Sequence, residues 1–356
     1  EAKEAFEKTK ALSNDAQVNT ALGKLYEKQG DHEAAKKVLQ EAKALDPKDK
    51  SAQAALGATL QSLGDSASAE KELREATGSE EIAAEDDSDE GDESGEDEDG
   101  DESSEDNTPA TEEVNSQSED TNPIPFYNLG VVYQGQGKNE EAVASFKKAF
   151  SIDSEHYESA LQLGLSLKNM ARYDEAAQSL AQAGAIRADA VEPLEGLADV
   201  YRAQKNYAEA EKTYQKLIAL APANGEYLYQ LAGLYKEQNQ LEKAYPLLKQ
   251  LVQQDPKNGD AMALKGWMEV ELKKDDEALS SLKKAAELDP ENSLVQNNLG
   301  VVLERKGKFD EAGKHYKKAA ELDPKLEEAK ENLGNLDQNA ANGASSSAAS
   351  EKSRSK

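Results

Sequence analysis

An all-α fold, an α-solenoid of about eight two-helix units carrying one disordered acidic insertion, follows from three observations on the 356-residue sequence. Small residues recur at Gly23, Gly57, Gly130, Gly164, Ala198, Ala232, Gly266 and Gly300, each step being 34 residues except across one acidic stretch. Within each unit the apolar residues fall three and four apart, the spacing that lines one face of a helix. Only 37% of the residues are hydrophobic against 32% charged, too few for one large core but enough for a stack in which each unit covers the next.

The elements follow in order. In the unit opening at Phe126, the apolar Phe126, Leu129 and Tyr133 make a first helix, and Ala142, Phe146 and Ala149 make a second. Gly137 lies between them, where a residue without Cβ ends a helix cheaply. Leucine precedes the small residue at Leu22, Leu56, Leu129, Leu163, Leu197, Leu231 and Leu299, and alanine follows at Ala35, Ala69, Ala142, Ala176, Ala210, Ala244, Ala278 and Ala312. The alanines allow close helix approach, and Phe146, Tyr214 and Tyr316 are placed to fill the gap between helix pairs. Pro47, Pro222, Pro256, Pro290 and Pro324 close the units, because proline cannot extend a helix.

With these residues in register, the chain resembles the tetratricopeptide repeat family, whose W-x2-L-G-x2-Y…A-x3-F…P pattern recurs in eight units starting at residues 16, 50, 123, 157, 191, 225, 259 and 293. The resemblance implies a solenoid whose first helices line a concave groove, with the second helices outside. Residues 1–15 read as the second helix of a repeat cut short, 16–83 as repeats one and two, 123–326 as repeats three to eight, 327–337 as a terminal capping helix and 338–356 as a flexible tail. Asn122 and Pro123 are expected as N-cap and first helical residue where the array restarts.

Residues 84–122 form the insertion. Its apolar content besides proline is Ala84, Ala110 and Val114, which cannot offset the entropy of ordering, so disorder is expected. The formal charge of −29 is concentrated here: residues 79–122 hold 21 of the 71 acids and no Lys or Arg, leaving 50 acids against 42 bases elsewhere, a net of −8.

Several chemistries find no support. Cysteine is absent, which removes disulfides, thiolate metal sites and thiol nucleophiles. His32, His156 and His315 fall on different elements and are read as solvated polar surface. The acidic run does not meet the alternating-acid template of a calcium loop. Gly135 and Gly137 follow a helix rather than a strand, so no phosphate loop is read there. No enzyme, cofactor or metal is called for. No apolar run approaches the ~18 residues of a membrane span, and no direct nucleic-acid binding or membrane insertion is expected. Residue 1 is a Glu with no leader behind it, oligomeric state is open, and the compartment is undetermined, with the cytoplasm ahead of the periplasm or nucleus.

The resemblance places positions 2, 5, 6, 9, 12 and 13 of each first helix inward. In repeats three to eight these give the acids Glu158, Glu192, Glu195, Asp199, Glu226, Glu237, Asp260, Glu271 and Glu304 against the bases Lys168, Arg202, Lys236 and Arg305, an acidic groove. Position 6 reads Asn128, Gln162, Gly196, Gln230, Leu264, Asn298 and Asn332, an amide ladder suited to a peptide backbone. Tyr127, Tyr229 and Trp267 are the inward aromatics, and the repeat of Trp267 carries Lys265 and Glu269 where an apolar pair is usual. The family's chaperone-tail clamp is not matched: its first pair falls on Thr20 and Lys24, or on Asn297 and Val301. The candidate partner-binding residues are therefore Tyr127, Asn128, Gln162, Glu192, Glu195, Asp199, Tyr229, Gln230, Trp267 and Asn298. The function expected is a scaffold gripping an extended, neutral-to-basic protein segment. The alternatives are a polyanionic, histone-chaperone-like binder of basic proteins acting through the insertion, and a regulatory arm of a larger enzyme.

Overall fold

The computed structural model describes residues 7, 9, 15–79 and 121–336. Most of the half repeat, nearly all of the acidic insertion and the whole tail lie outside the described residues. Among the described residues there is no strand. The helices run α1 (Ala16–Lys28), α2 (His32–Leu45), α3 (Lys50–Ser62), α4 (Ser66–Thr77), α5 (Ile124–Gly135), α6 (Asn139–Ile152), α7 (Tyr157–Asn169), α8 (Tyr173–Ile186), α9 (Glu192–Ala203), α10 (Tyr207–Leu220), α11 (Gly225–Glu237), α12 (Leu241–Gln254), α13 (Gly259–Glu271), α14 (Asp275–Leu288), α15 (Ser293–Arg305) and α16 (Phe309–Leu322). A last helix, α17, covers 327–336. The fold is an all-α helical-repeat solenoid made of two compact lobes, one ending at Val200 and the other beginning at Tyr201.

Local chemistry sets each boundary. Asp15, Asp49, Asn224, Asn258 and Asn292 accept a backbone N–H at the start of their first helices, as N-caps do. The start of the third unit is shifted by one residue: Asn122 Oδ1 accepts from Ile124 N at 3.1 Å, and α5 begins at Ile124 rather than Pro123. After five of the eight units an aspartate folds its carboxylate onto the backbone two residues on: Asp46 to Lys48 N, Asp153 to Glu155 N, Asp255 to Lys257 N, Asp289 to Glu291 N and Asp323 to Lys325 N.

The turn inside each unit is a left-handed residue at repeat position 15. Glycine fills it at Gly30, Gly64, Gly137 and Gly307, but Ala171, Lys205, Asn239 and Lys273 adopt it too, with φ of 56–60°. The following N–H reaches back five residues, for instance Lys138 N to Tyr133 O and Lys274 N to Glu269 O, which satisfies a carbonyl orphaned at the helix end. Gly137 is thus one case of a conformation that all eight units share.

The repeated small residue has a tertiary cause. A Cβ on Gly23, Gly57, Gly130, Gly164, Gly266 or Gly300 would lie 2.4–2.7 Å from the side chain of Leu39, Leu73, Phe146, Leu180, Leu282 or Tyr316. The large residue of each second helix rests directly on the backbone of its partner. In the C-terminal lobe Met262, Val270, Ala278, Leu282, Ala285, Val295, Leu299 and Val302 form one cluster across α13, α14 and α15, so the core runs through the seam between units. Leu303, Ala312, Tyr316 and Leu336 close the stack, with α17 burying Ala329 and Leu336.

Candidate functional site

The first helices of the N-terminal lobe carry Tyr127 and Asn128 on α5, Gln162 on α7, and Glu192, Glu195 and Asp199 on α9. Tyr127 is half-buried, its ring 5.7 Å from that of Phe146 and 5.4 Å from His156, so much of it belongs to the packing within its own unit. Burial, then the Glu158 carboxylate, pushes its phenol above the ordinary range. Asn128 and Gln162 are half-exposed. Glu192, Glu195 and Asp199 are exposed on one helical face.

That face is less negative than the sequence count suggests. Lys168 Nζ lies 2.8 Å from Asp199 Oδ2, bridging α7 to α9. Arg187 lies 2.6 Å from Glu158 and stacks 3.9 Å from the centroid of Tyr157. The sequence reading did not place Arg187, because it follows α8 and its reach back to α7, the first helix of its own unit, is a fact of helix packing.

In the C-terminal lobe, Tyr229 and Gln230 lie on α11, Trp267 on α13 and Asn298 on α15, all partly exposed. Tyr229 is held above the ordinary phenol range by burial first, then by Asp260 and Glu226, so carboxylates stand near its hydroxyl. Lys236 Nζ sits 4.5 Å from the centroid of Trp267, a cation–π contact across α11 and α13. A Cβ on Gly233, between Tyr229 and Lys236 on α11, would meet nothing within 4 Å.

The amide ladder is corrected by the structure. Gln230 is already engaged, accepting from Arg202 Nη1 at 3.1 Å and donating to Glu226. Arg202 also pairs with Glu237. Asn332 donates to Asn297 Oδ1 at 3.1 Å. Position 6 is interrupted at Gly196 and Leu264, so Asn128, Gln162 and Asn298 stand as separate amides rather than a row.

On the same helix as Trp267, Lys265 and Glu269 form a buried ion pair at 2.5 Å, with Glu269 at 0% side-chain exposure. Tyr245 donates to the same Glu269 oxygen at 3.0 Å, and Lys265 donates to Ser281 Oγ at 2.7 Å. Glu269 Oε2 accepts no hydrogen bond. The histidines also differ from the solvated-surface reading. His156 caps α7, accepting from Ser159 N at 3.1 Å, His32 meets Glu27 at 3.0 Å, and His315 is half-buried with Nδ1 2.8 Å from Gln296. His156 is a cap on a first helix, whereas His32 and His315 sit where a second helix packs on its first. Among the described residues no group of three His, Asp or Glu is placed to hold a metal ion, and no helix is long and apolar enough to cross a membrane.

Stacked helix pairs with an inner face of part-exposed aromatics, amides and carboxylates define a helical-repeat scaffold for protein interactions. Sequence models of the tetratricopeptide repeat match residues 16–49, 125–156, 161–225, 201–268, 235–297 and 293–326, together more than half of the chain. The chain belongs to the tetratricopeptide repeat family. No curated protein matches it in sequence. Similar solved structures include YrrB, described as a TPR protein with an unusual peptide-binding site, at 23% identity and a TM-score of 0.46 over 52% of this chain and 96% of that one. Another is a tetratricopeptide repeat protein from Parabacteroides merdae, at 16% identity and a TM-score of 0.46 over 82% of this chain and all of that one.

Proposed function

We infer that the chain holds an extended, neutral-to-basic segment of a protein partner on its first-helix face, and that it performs no catalysis. The observation that carries this is Trp267, part-exposed beside the open space in front of Gly233, with Asp260 and Glu226 close to Tyr229 on the same side. An apolar side chain is received at Trp267, where Lys236 already occupies one approach to the ring, and a basic side chain is received near Tyr229. In the N-terminal lobe, taken by itself, exposed Glu192 and Glu195 carry the same preference for positive charge.

The test is selection from a random library of extended peptides by the whole chain, followed by binding kinetics on the peptides recovered. Enrichment of Lys or Arg next to an apolar residue is expected. Trp267→Ala should speed dissociation, costing about 2 kcal/mol if the ring is a hot spot. Replacing Glu192, Glu195 and Asp199 with Gln should weaken basic peptides selectively. Recovery of acidic peptides, or indifference to all four substitutions, would overturn the reading. Binding of basic proteins that ignores these substitutions and collapses only when residues 84–122 are removed would favour the polyanion alternative, whose support is the run of acids without a single Lys or Arg.

A further inference from the structure

The second helices of the C-terminal lobe carry another ordered surface, independent of the first-helix face. Repeat positions 25 and 26 read Gln215 and Lys216 on α10, Lys249 and Gln250 on α12, Lys283 and Lys284 on α14, and Lys317 and Lys318 on α16, all exposed. Four consecutive outer helices thus present ammonium groups at one register, in a chain of net charge −29. Lys314 adds a further exposed cation on α16.

Three observations make this a surface rather than scattered lysines. Three acids in the first turns of these helices pair with other cations, Asp275 with Arg305 at 3.3 Å, Asp276 with Lys306 at 2.5 Å and Glu311 with Lys308 at 3.1 Å, although Glu311 also feels Lys283. Among the described residues, only Lys317 of the six ladder lysines has a carboxylate in range, Glu321 at 3.9 Å, and both are largely exposed. The charges also converge. His315, half-buried on α16, is held below the usual imidazole range by burial first, then by Lys318, with Lys283 of α14 acting in the same direction and Glu311 opposing them. Ammonium groups from two outer helices therefore act on one centre. The N-terminal lobe does not repeat the pattern, since Lys147 and Lys148 are followed one repeat on by Ala181 and Gln182.

We propose that the lysine ladder of α10, α12, α14 and α16 docks an extended acidic segment of a partner polypeptide. Neighbouring helices stand roughly 10 Å apart and an extended chain advances about 3.3 Å per residue, so every third or fourth residue meets a lysine. A segment with Asp or Glu at most positions satisfies that spacing in any register. The ladder positions hold no aromatic residue on which unpaired bases stack, which disfavours single-stranded nucleic acid.

The test uses the whole chain and, as probe, a fluorescent peptide with the sequence of residues 85–106, at about 20 mM salt where exposed charges are little screened. Saturable binding is expected. Lys283→Gln, Lys284→Gln, Lys317→Gln and Lys318→Gln together should weaken it about tenfold, the combined effect of several weak exposed pairs. Lys147→Gln with Lys148→Gln should leave it unchanged. The three histidines give a local readout: peptide should raise the titration midpoint of His315 in proton NMR and leave His32 and His156 where they are. Absence of saturable binding, wild-type binding by the quadruple variant, an unmoved His315, or equal binding of a DNA strand of matched charge would each overturn the proposal.

Discussion

Lys265 and Glu269 occupy positions where the other repeats place leucine and a large apolar residue, as at Leu231 and Tyr235 or Leu299 and Leu303. The pair is buried, Lys265 at 14% and Glu269 at 0% side-chain exposure, and one carboxylate oxygen has no donor. Lys265→Leu alone removes the cation and strands the carboxylate, an uncompensated buried charge costing about 3–5 kcal/mol. Lys265→Leu with Glu269→Leu removes the charge altogether and supplies the apolar pair of the last repeat, so it is expected to range from neutral to about 4 kcal/mol more stable than wild type. Urea unfolding followed by circular dichroism reads the total. Hydrogen exchange at the amides of α13 reads the local part, since repeat arrays open in pieces. Tyr245 reports the same cluster: burial first, then the bond to Glu269, pushes its phenol up to about 12. The double variant should lower that value towards the ordinary 10 or so, visible in the ultraviolet phenolate absorbance. Because the folded value lies above the unfolded one, the stability Tyr245 contributes is complete below about pH 10 and is lost as pH rises through about 12. A Lys265→Leu loss under about 1 kcal/mol, or a double variant weaker than both single variants, would refute the reasoning.

Three further outcomes follow from the geometry. Ala171→Gly should raise stability by about 1 kcal/mol, because φ is +60° there and an L side chain pays for the left-handed region; thermal unfolding checks it. Gly130→Ala should lose about 1–3 kcal/mol, its Cβ falling 2.6 Å from the Phe146 ring, whereas Gly233→Ala, facing open space, should gain up to about 1 kcal/mol from helix propensity; chemical denaturation of the two compares them. His315, whose folded value is depressed by burial first and then by Lys318, contributes stability above the unfolded value that is lost as pH falls below about 6.5, so His315→Gln should flatten that part of the acid limb in pH-dependent melting.

The sequence by itself determined the architecture, because a 34-residue period samples the same packing eight times. At any one unit the small residue, the alanine and the spacing of apolar side chains are weak signals, but their agreement across registers leaves one fold that buries every stripe. It also marked Trp267 and the odd pair Lys265 and Glu269 as departures from the pattern. What it could not supply was the partner of each polar group. Arg187 reaching Glu158, Arg202 holding Gln230 and Glu237, and Lys168 meeting Asp199 all join residues 28 to 35 apart in sequence, the first set by packing of the helices within a unit and the others by how one unit stacks on the next. Charge counted along the chain therefore overstated the acidity of the inner face and the continuity of its amides. The left-handed residue at position 15 was legible where it is glycine and hidden at Ala171, Lys205, Asn239 and Lys273, where the turn between packed helices overrides local preference. Local chemistry fixes where helices start and stop, and contact between helices decides which side chains remain available to a partner.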